Sequence, residues 1–232
     1  MAPIQVGVGV TSGAEAAIHA ARRYANNMPD THVIVKLDFT NAFNTLRRDS
    51  LLEAVAREVP EIYRFAHAAY AVEPILQYDA DTIRSQEGTQ QGDPLGPLEF
   101  CITIQPLLIR LRAELRIGYL DDLTLGGHKD IVAADIELID REAAALGLKL
   151  NKSKCELIST NTVHMAHTEF SGFTSTPVSK MRLLGAPVMP GLEVTAALNE
   201  KTEDLRRAVS RLTLLQSQDA PTLLRYILSI PH

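Results

Sequence analysis

Three aspartates and one glycine-rich loop carry the chemistry legible in this chain. Asp38 ends a largely apolar, β-branched run (residues 32–37), at the point where a buried strand gives way to a turn. Asp121 and Asp122 stand side by side between two mainly apolar stretches, 117–120 and 123–125. Two carboxylates ~4 Å apart repel by about 4 kcal/mol at an effective dielectric of 20. A pair kept beside apolar sequence therefore needs a cation or raised carboxyl pKa values. Hard divalent ions suit all-oxygen donors, and Mg2+ commonly takes one or two carboxylates together with substrate phosphates. Two such ions ~3.5–4 Å apart activate an attacking oxygen and stabilise a leaving one in phosphoryl transfer. Taken alone, Asp-Asp is more often a turn and Asp38 a helix cap. The apolar flanks and the loop at residues 88–97 reverse that balance. This loop, GTQQGDPLGP, holds three glycines and two prolines in ten residues. Glycine lets backbone approach a ligand closely, proline stiffens the approach, and the two glutamines offer uncharged donors and acceptors.

The elements that must position these groups follow from periodicity. Residues 13–25 carry alanines and Ile18 at helical spacing, and the helix should stop at Asn26 and Asn27. Ser50 and Glu53 form a capping-box pattern that opens a helix running to about residue 59, and Pro60 begins the next one, to about residue 70. Residues 75–78 and 82–86 read as a hairpin. Residues 98–115 read as a helix interrupted at Pro106, and 116–119 with 123–125 as a second hairpin around the acidic pair. An amphipathic helix over 131–146 ends at Gly147. Residues 149–150 and 155–158 are strand candidates, a polar stretch over 159–179 carries no clear pattern, and two helices (196–215 and 220–228) close the described pattern. Helices and hairpins interleave without a βαβ rhythm, so the expected class is α+β.

Composition bounds the rest. The 232 residues are 46% hydrophobic and 22% charged, an ordinary globular balance with ample core material. Cys101 and Cys155 are the two cysteines, too few for a disulfide framework or a four-ligand zinc site, which favours a reducing compartment. No run approaches the ~18 apolar residues of a membrane span, and no signal-peptide pattern opens the chain. The net charge of −5 counts against nucleic-acid binding, whose domains are usually basic.

The motifs LDFTNAF (37–43), GTQQGDPLGP (88–97), YLDD (119–122), GLKLNKSKC (147–155) and LLG (183–185), in this order, resemble those of the reverse transcriptase palm, with the non-LTR retrotransposon type the nearest in pattern. The resemblance implies a polymerase palm, an antiparallel sheet backed by helices, over residues 32–187. A partial fingers remnant (1–31) would precede it, and the start of a truncated thumb or connection (188–232) would follow. It implies an RNA-directed DNA polymerase that adds dNTPs to a primer 3′-hydroxyl with two Mg2+ ions, Mn2+ being a substitute. Asp38, Asp121 and Asp122 would hold metal, and Lys154 would protonate the departing pyrophosphate. Phe39, Phe43, Gln91, Gly92 and Tyr119 would contact substrate, with Phe43 placed to exclude a 2′-hydroxyl. Leu184 and Gly185 would lie in the primer grip. Leu120 replaces the family's commoner Ala and is expected to face the core or the primer. The implied partners are an RNA template, a DNA primer and dNTPs, without a membrane, in the nucleus or cytoplasm. An acidic palm lacking most basic fingers would account for the charge and leave the isolated chain weakly active or inactive.

Three other readings remain. A catalytically silent reverse-transcriptase-derived module would bind RNA or protein. The glycines at 7, 9 and 13 imitate a dinucleotide-binding turn, but with G-x-G-x-x-x-G spacing and no second βαβ repeat. A phosphoacceptor receiver domain would carry its acidic pair before the lone Asp, the reverse of the order here.

Overall fold

The computed structural model describes residues 4–79, 81–90, 92–160, 168–212 and 214. Its chain order is α1 (Gly13–Asn26), β1 (His32–Leu37), α2 (Ala42–Thr45), α3 (Arg48–Glu58), α4 (Tyr63–Tyr70), β2 (Ile75–Tyr78) and β3 (Asp81–Arg84). There follow α5 (Gly96–Arg110), β4 (Leu115–Tyr119), β5 (Asp122–His128), α6 (Lys129–Ala145), β6 (Glu156–Ser159), β7 (Thr174–Pro177), β8 (Arg182–Leu183), β9 (Ala186–Pro187) and α7 (Leu192–Leu212).

Alternation along the central strands divides the core in two. Successive side chains of a strand leave opposite faces, and in β1 this sends Val33, Val35 and Leu37 to one cluster and Ile34 to another. The first cluster packs α3, α5 and α6 against the sheet, with Leu123, Leu125 and Leu157 contributed by β5 and β6. The second places α1, through Ala17, Ala21 and Ala25, with Ile117, Ile158 and the β8–β9 hairpin on the reverse face. Burial on both faces explains why β1 reads as a continuous apolar run rather than an alternating one. The sheet order is β4-β5-β1-β6-β7, antiparallel except for the β6–β7 pair.

Several sequence expectations shift. The helix expected over 98–115 runs from Gly96 to Arg110, and Leu115 opens β4 instead. The carboxylate of buried Asp135 accepts the Arg112 and Ala113 amides at 2.7–3.1 Å, drawing the chain out of the helix where no local breaker stands. Helix α3 begins at Arg48, ahead of the capping-box pattern, and in its first turn Asp49 accepts the Ser50 amide at 2.8 Å. Pro60 starts a single 3₁₀ turn before α4. The pair 149–150 makes one bridge, between Leu150 and Phe39, rather than a strand. Within the polar stretch, β7 adds a parallel edge to β6. The first closing helix is α7; the second, over 220–228, lies outside the described residues.

Candidate active site

The catalytic expectations rest first on whether Asp38 meets the acidic pair. Strands β1 and β5 pair antiparallel as far as Leu37 opposite Leu123. One further step of that register brings Asp38 across from Asp122, and an ideal ladder separates such Cα atoms by about 5 Å. Asp121 lies in the two-residue turn between β4 and β5, whose flanking pair is Tyr119 opposite Asp122. The carboxylates feel one another. Partial burial raises the Asp121 pKa, and the Asp38 charge raises it further. Asp122 is raised by desolvation, then by Asp121, with Lys36 opposing and Asp38 reinforcing.

Asp38 Oδ2 is closed off from solvent with no hydrogen-bond partner. A buried carboxylate oxygen left bare costs several kcal/mol unless a cation or a proton answers it. The donor set is all oxygen and suits a hard divalent ion. Among the described residues, no group of three or more His, Cys, Asp or Glu side chains is placed to hold a metal ion by itself. A cation here would draw the rest of its shell from phosphates and water, as Mg2+ commonly does.

The acidic turn opens onto a cleft of about 390 Å³ lined by Asn41, Phe43, Thr89, Gly92, Asp93 and Asp121, among others. The glycine-rich loop forms its far wall and is tied down by hydrogen bonds at Gly88, Thr89, Gln90, Asp93, Leu95 and Gly96. Gly88 N–H donates to Leu46 O and Thr89 N–H to Phe43 O, each at 2.8 Å. Gly88 has φ +68, and a Cβ there would lie 2.4 Å from Phe43 O, so a side chain is excluded twice over. Buried Arg48 donates to the carbonyls of Ser85, Glu87 and Gly88 and lies over the Tyr70 ring at 5.2 Å. The Tyr70 hydroxyl donates to Asp93 and accepts the Gln90 amide at 3.2 Å. Asp93 in turn accepts the Leu95 amide at 2.8 Å where α5 begins. None of Arg48, Tyr70 or Asp93 stood out in sequence as a loop anchor, since an arginine near a helix start is ordinarily a solvated one.

The remaining expected residues divide. Phe43 lines the cleft and packs on Phe100, with ring centroids 4.8 Å apart. Gly92 lines it with φ +90 and open space where a Cβ would be. Tyr119 ends β4 beside the acidic turn. Phe39, by contrast, is 3% exposed and belongs to the main core, so its side chain does not reach the cleft. Gln91 lies outside the described residues. Lys154 is exposed in a segment held against Asp38, where Asn151 N–H donates to Asp38 O at 2.8 Å and Asp38 N–H to Cys155 Sγ at 3.4 Å. Leu184 and Gly185 form the β8–β9 turn, with φ 49 and 81. With Lys36, Asp122 and Thr124 they line a second, smaller cleft of about 180 Å³. Leu120, with φ 58, packs against Gly7 of the N-terminal segment.

A sheet with an acid at one strand end, an acid pair in the adjoining hairpin and helices behind it is the palm of a nucleic-acid polymerase. The model of the Reverse transcriptase (RNA-dependent DNA polymerase) family matches residues 5–188, and the chain belongs to that family. Over 152 residues it is 28% identical to the Retrovirus-related Pol polyprotein from type-1 retrotransposable element R2 of Popillia japonica. That match covers 57% of this chain and 25% of the relative, so the chain spans about a quarter of the curated relative's length. Two solved structures share the fold. Telomerase from Candida tropicalis in complex with a TWJ fragment of telomeric RNA gives a TM-score of 0.55 at 16% identity, covering 77% of this chain and 32% of that one. The apo telomerase of the same organism gives 0.52 at 14% identity, covering 74% and 34%. No helix among the described residues is long and apolar enough to cross a membrane.

Proposed function

We propose that this chain is an RNA-directed DNA polymerase domain of retrotransposon origin, extending a DNA primer on an RNA template with dNTPs. The observation that carries the reading is Asp38, with its bare buried oxygen, one register step from Asp122 across β1–β5 and close enough for its charge to act on Asp121, which lines the loop-walled cleft. Residues 32–187 are assigned to the palm, 1–31 to a fingers portion and 188–232 to the beginning of a thumb or connection.

In this reading the primer 3′-oxygen bonds to the α-phosphorus, the α–β phosphoanhydride bond breaks, and pyrophosphate departs. Asp38, Asp121 and Asp122 would hold two Mg2+ ions, or Mn2+ in their place. When bound, these ions lower the hydroxyl pKa and offset charge on the triphosphate. Lys154 would supply a proton to the departing pyrophosphate. Phe43, braced by Phe100, would stand under the sugar and exclude a 2′-hydroxyl. Gln91 and Gly92 would contact the nucleotide, Tyr119 would border it, and Leu184 with Gly185 would steady the primer end. Phe39 acts from the core by fixing the backbone around Asp38.

Primer extension on an RNA template tests this. Asp121→Asn should lower incorporation by roughly 10³-fold, while circular dichroism shows the fold retained. Unchanged incorporation by this variant would overturn the metal assignment.

A further inference from the structure

The acidic turn is held in a conformation its own sequence disfavours. Leu120, the first of its two central residues, has φ 58, a region that a branched L-residue enters only when its surroundings force it. The force comes from a residue 115 positions away. The N-terminal segment runs beside β4, with Val6 N–H donating to Gly118 O at 2.8 Å and Gly118 N–H to Ile4 O at 2.9 Å. Between these bonds the side chain of Gln5, 0% exposed, reaches the turn. Its Oε1 accepts the Leu120 amide at 2.9 Å, and its Nε2 donates to Leu120 O at 3.2 Å.

Both polar groups of one peptide-bearing residue are thus met by a single side-chain amide, which carries a donor and an acceptor at fixed spacing. Two glycines make the fit. A Cβ on Gly118 would lie 3.1 Å from Gln5 Nε2, and one on Gly7 would lie 2.7 Å from the Leu120 nitrogen. Asp121 is the next residue in the chain. Rotation of the Leu120–Asp121 peptide would swing the Asp121 carboxylate relative to Asp38, which follows β1 and would not move with it.

We infer that Gln5 is a positioning residue for the acidic turn, clamping the backbone of Leu120 and thereby holding Asp121 near Asp38, where the two could share a divalent ion with substrate phosphates and water. The inference rests on the polymerase reading of the three aspartates. Ionised Glu keeps only the acceptor, Asn is a methylene short, and Met offers neither bond. Loss of the clamp frees Leu120 to leave the left-handed region and carry Asp121 with it.

The test uses the full 232-residue chain with Mn2+ as the probe, its binding followed by electron paramagnetic resonance, and amide exchange at Leu120 followed by NMR. Wild type should bind Mn2+, and Asp121→Asn should not. Gln5→Met should lose Leu120 amide protection while Leu123 and Leu125 keep theirs, and should weaken Mn2+ binding by about 10–100-fold. Leu120→Gly accepts the positive φ without strain, so adding it to Gln5→Met should restore most of the affinity, which a merely structural glutamine would not allow. Should Gln5→Met fail to fold, Gly118→Ala, which crowds the amide without removing it, should weaken Mn2+ binding in the same direction. Unchanged Leu120 exchange or unchanged Mn2+ affinity in these variants overturns the clamp and leaves the metal site standing. Wild type that binds no Mn2+, or Asp121→Asn that binds it equally well, overturns the polymerase reading and the clamp with it.

Discussion

Two side chains near the cleft turn geometry into measurable behaviour. Phe43 lies between the cleft and the Phe100 ring. Phe43→Ala should raise incorporation of rNTPs relative to dNTPs by about 10–100-fold. The lost ring pair should cost about 1 kcal/mol of stability. Competition assays with both nucleotides read the first effect and denaturant unfolding the second. Glu99, in the first turn of α5, is 0% exposed with both carboxyl oxygens unpartnered. Burial first, and the charge of Asp93 second, raise its pKa from 4.5 to about 7. The folded chain therefore keeps a proton that the unfolded chain releases. Its stability is greatest below the unfolded value, falls as pH climbs toward 7, and is level beyond. Glu99→Gln removes this loss, so it should stabilise the chain by about 2–3 kcal/mol more at pH 8 than at pH 5. Thermal unfolding across that range checks the sign.

At the scale of elements, the glycine-rich loop is a shaped segment whose shape comes from its neighbours. Its glycines and prolines were legible as a shaped turn, and in the structure several of its residues build one wall of the cleft. The anchors were not legible, because Arg48 and Tyr70 lie in helices whose sequence marks them as surface and core respectively. Arg48 has its guanidinium pKa lowered by burial, and it satisfies the carbonyls of Ser85 and Glu87, just ahead of the loop, and of Gly88, its first residue. Arg48→Met keeps the volume but strands those carbonyls, at about 1–3 kcal/mol each where water cannot replace the donor. The expected result is faster amide exchange over residues 88–90 and a KM for dNTP that rises more than kcat falls. Equal exchange in the variant and wild type would show that the loop holds its shape without the arginine.

The whole molecule is organised by one sheet buried on both faces. Ile34 and Val35 are neighbours in sequence, yet they serve different clusters, one with α1 and the β8–β9 hairpin, the other with α3, α5 and α6. Both are 0% exposed. Ile34→Ala and Val35→Ala should each cost about 2–4 kcal/mol and lower one common unfolding transition, since neither layer keeps its template without β1. Separate transitions in calorimetry would contradict that coupling.

The sequence alone carried the family: an acid closing a β-branched run, an acid pair between apolar stretches, and a glycine-proline loop, each a local pattern with a local cause. It also determined most helices, because their periodicity lies within a dozen residues. The tertiary structure alone decided the left-handed Leu120, the Gln5 amide that meets it, the Arg48 anchor, the parallel β7 edge and the early end of α5 at Asp135. Each of these joins residues far apart in the chain. Whether a glutamine, an arginine or an aspartate is solvated or structural is set by the partner that folding brings to it, and no local pattern carries that partner's address.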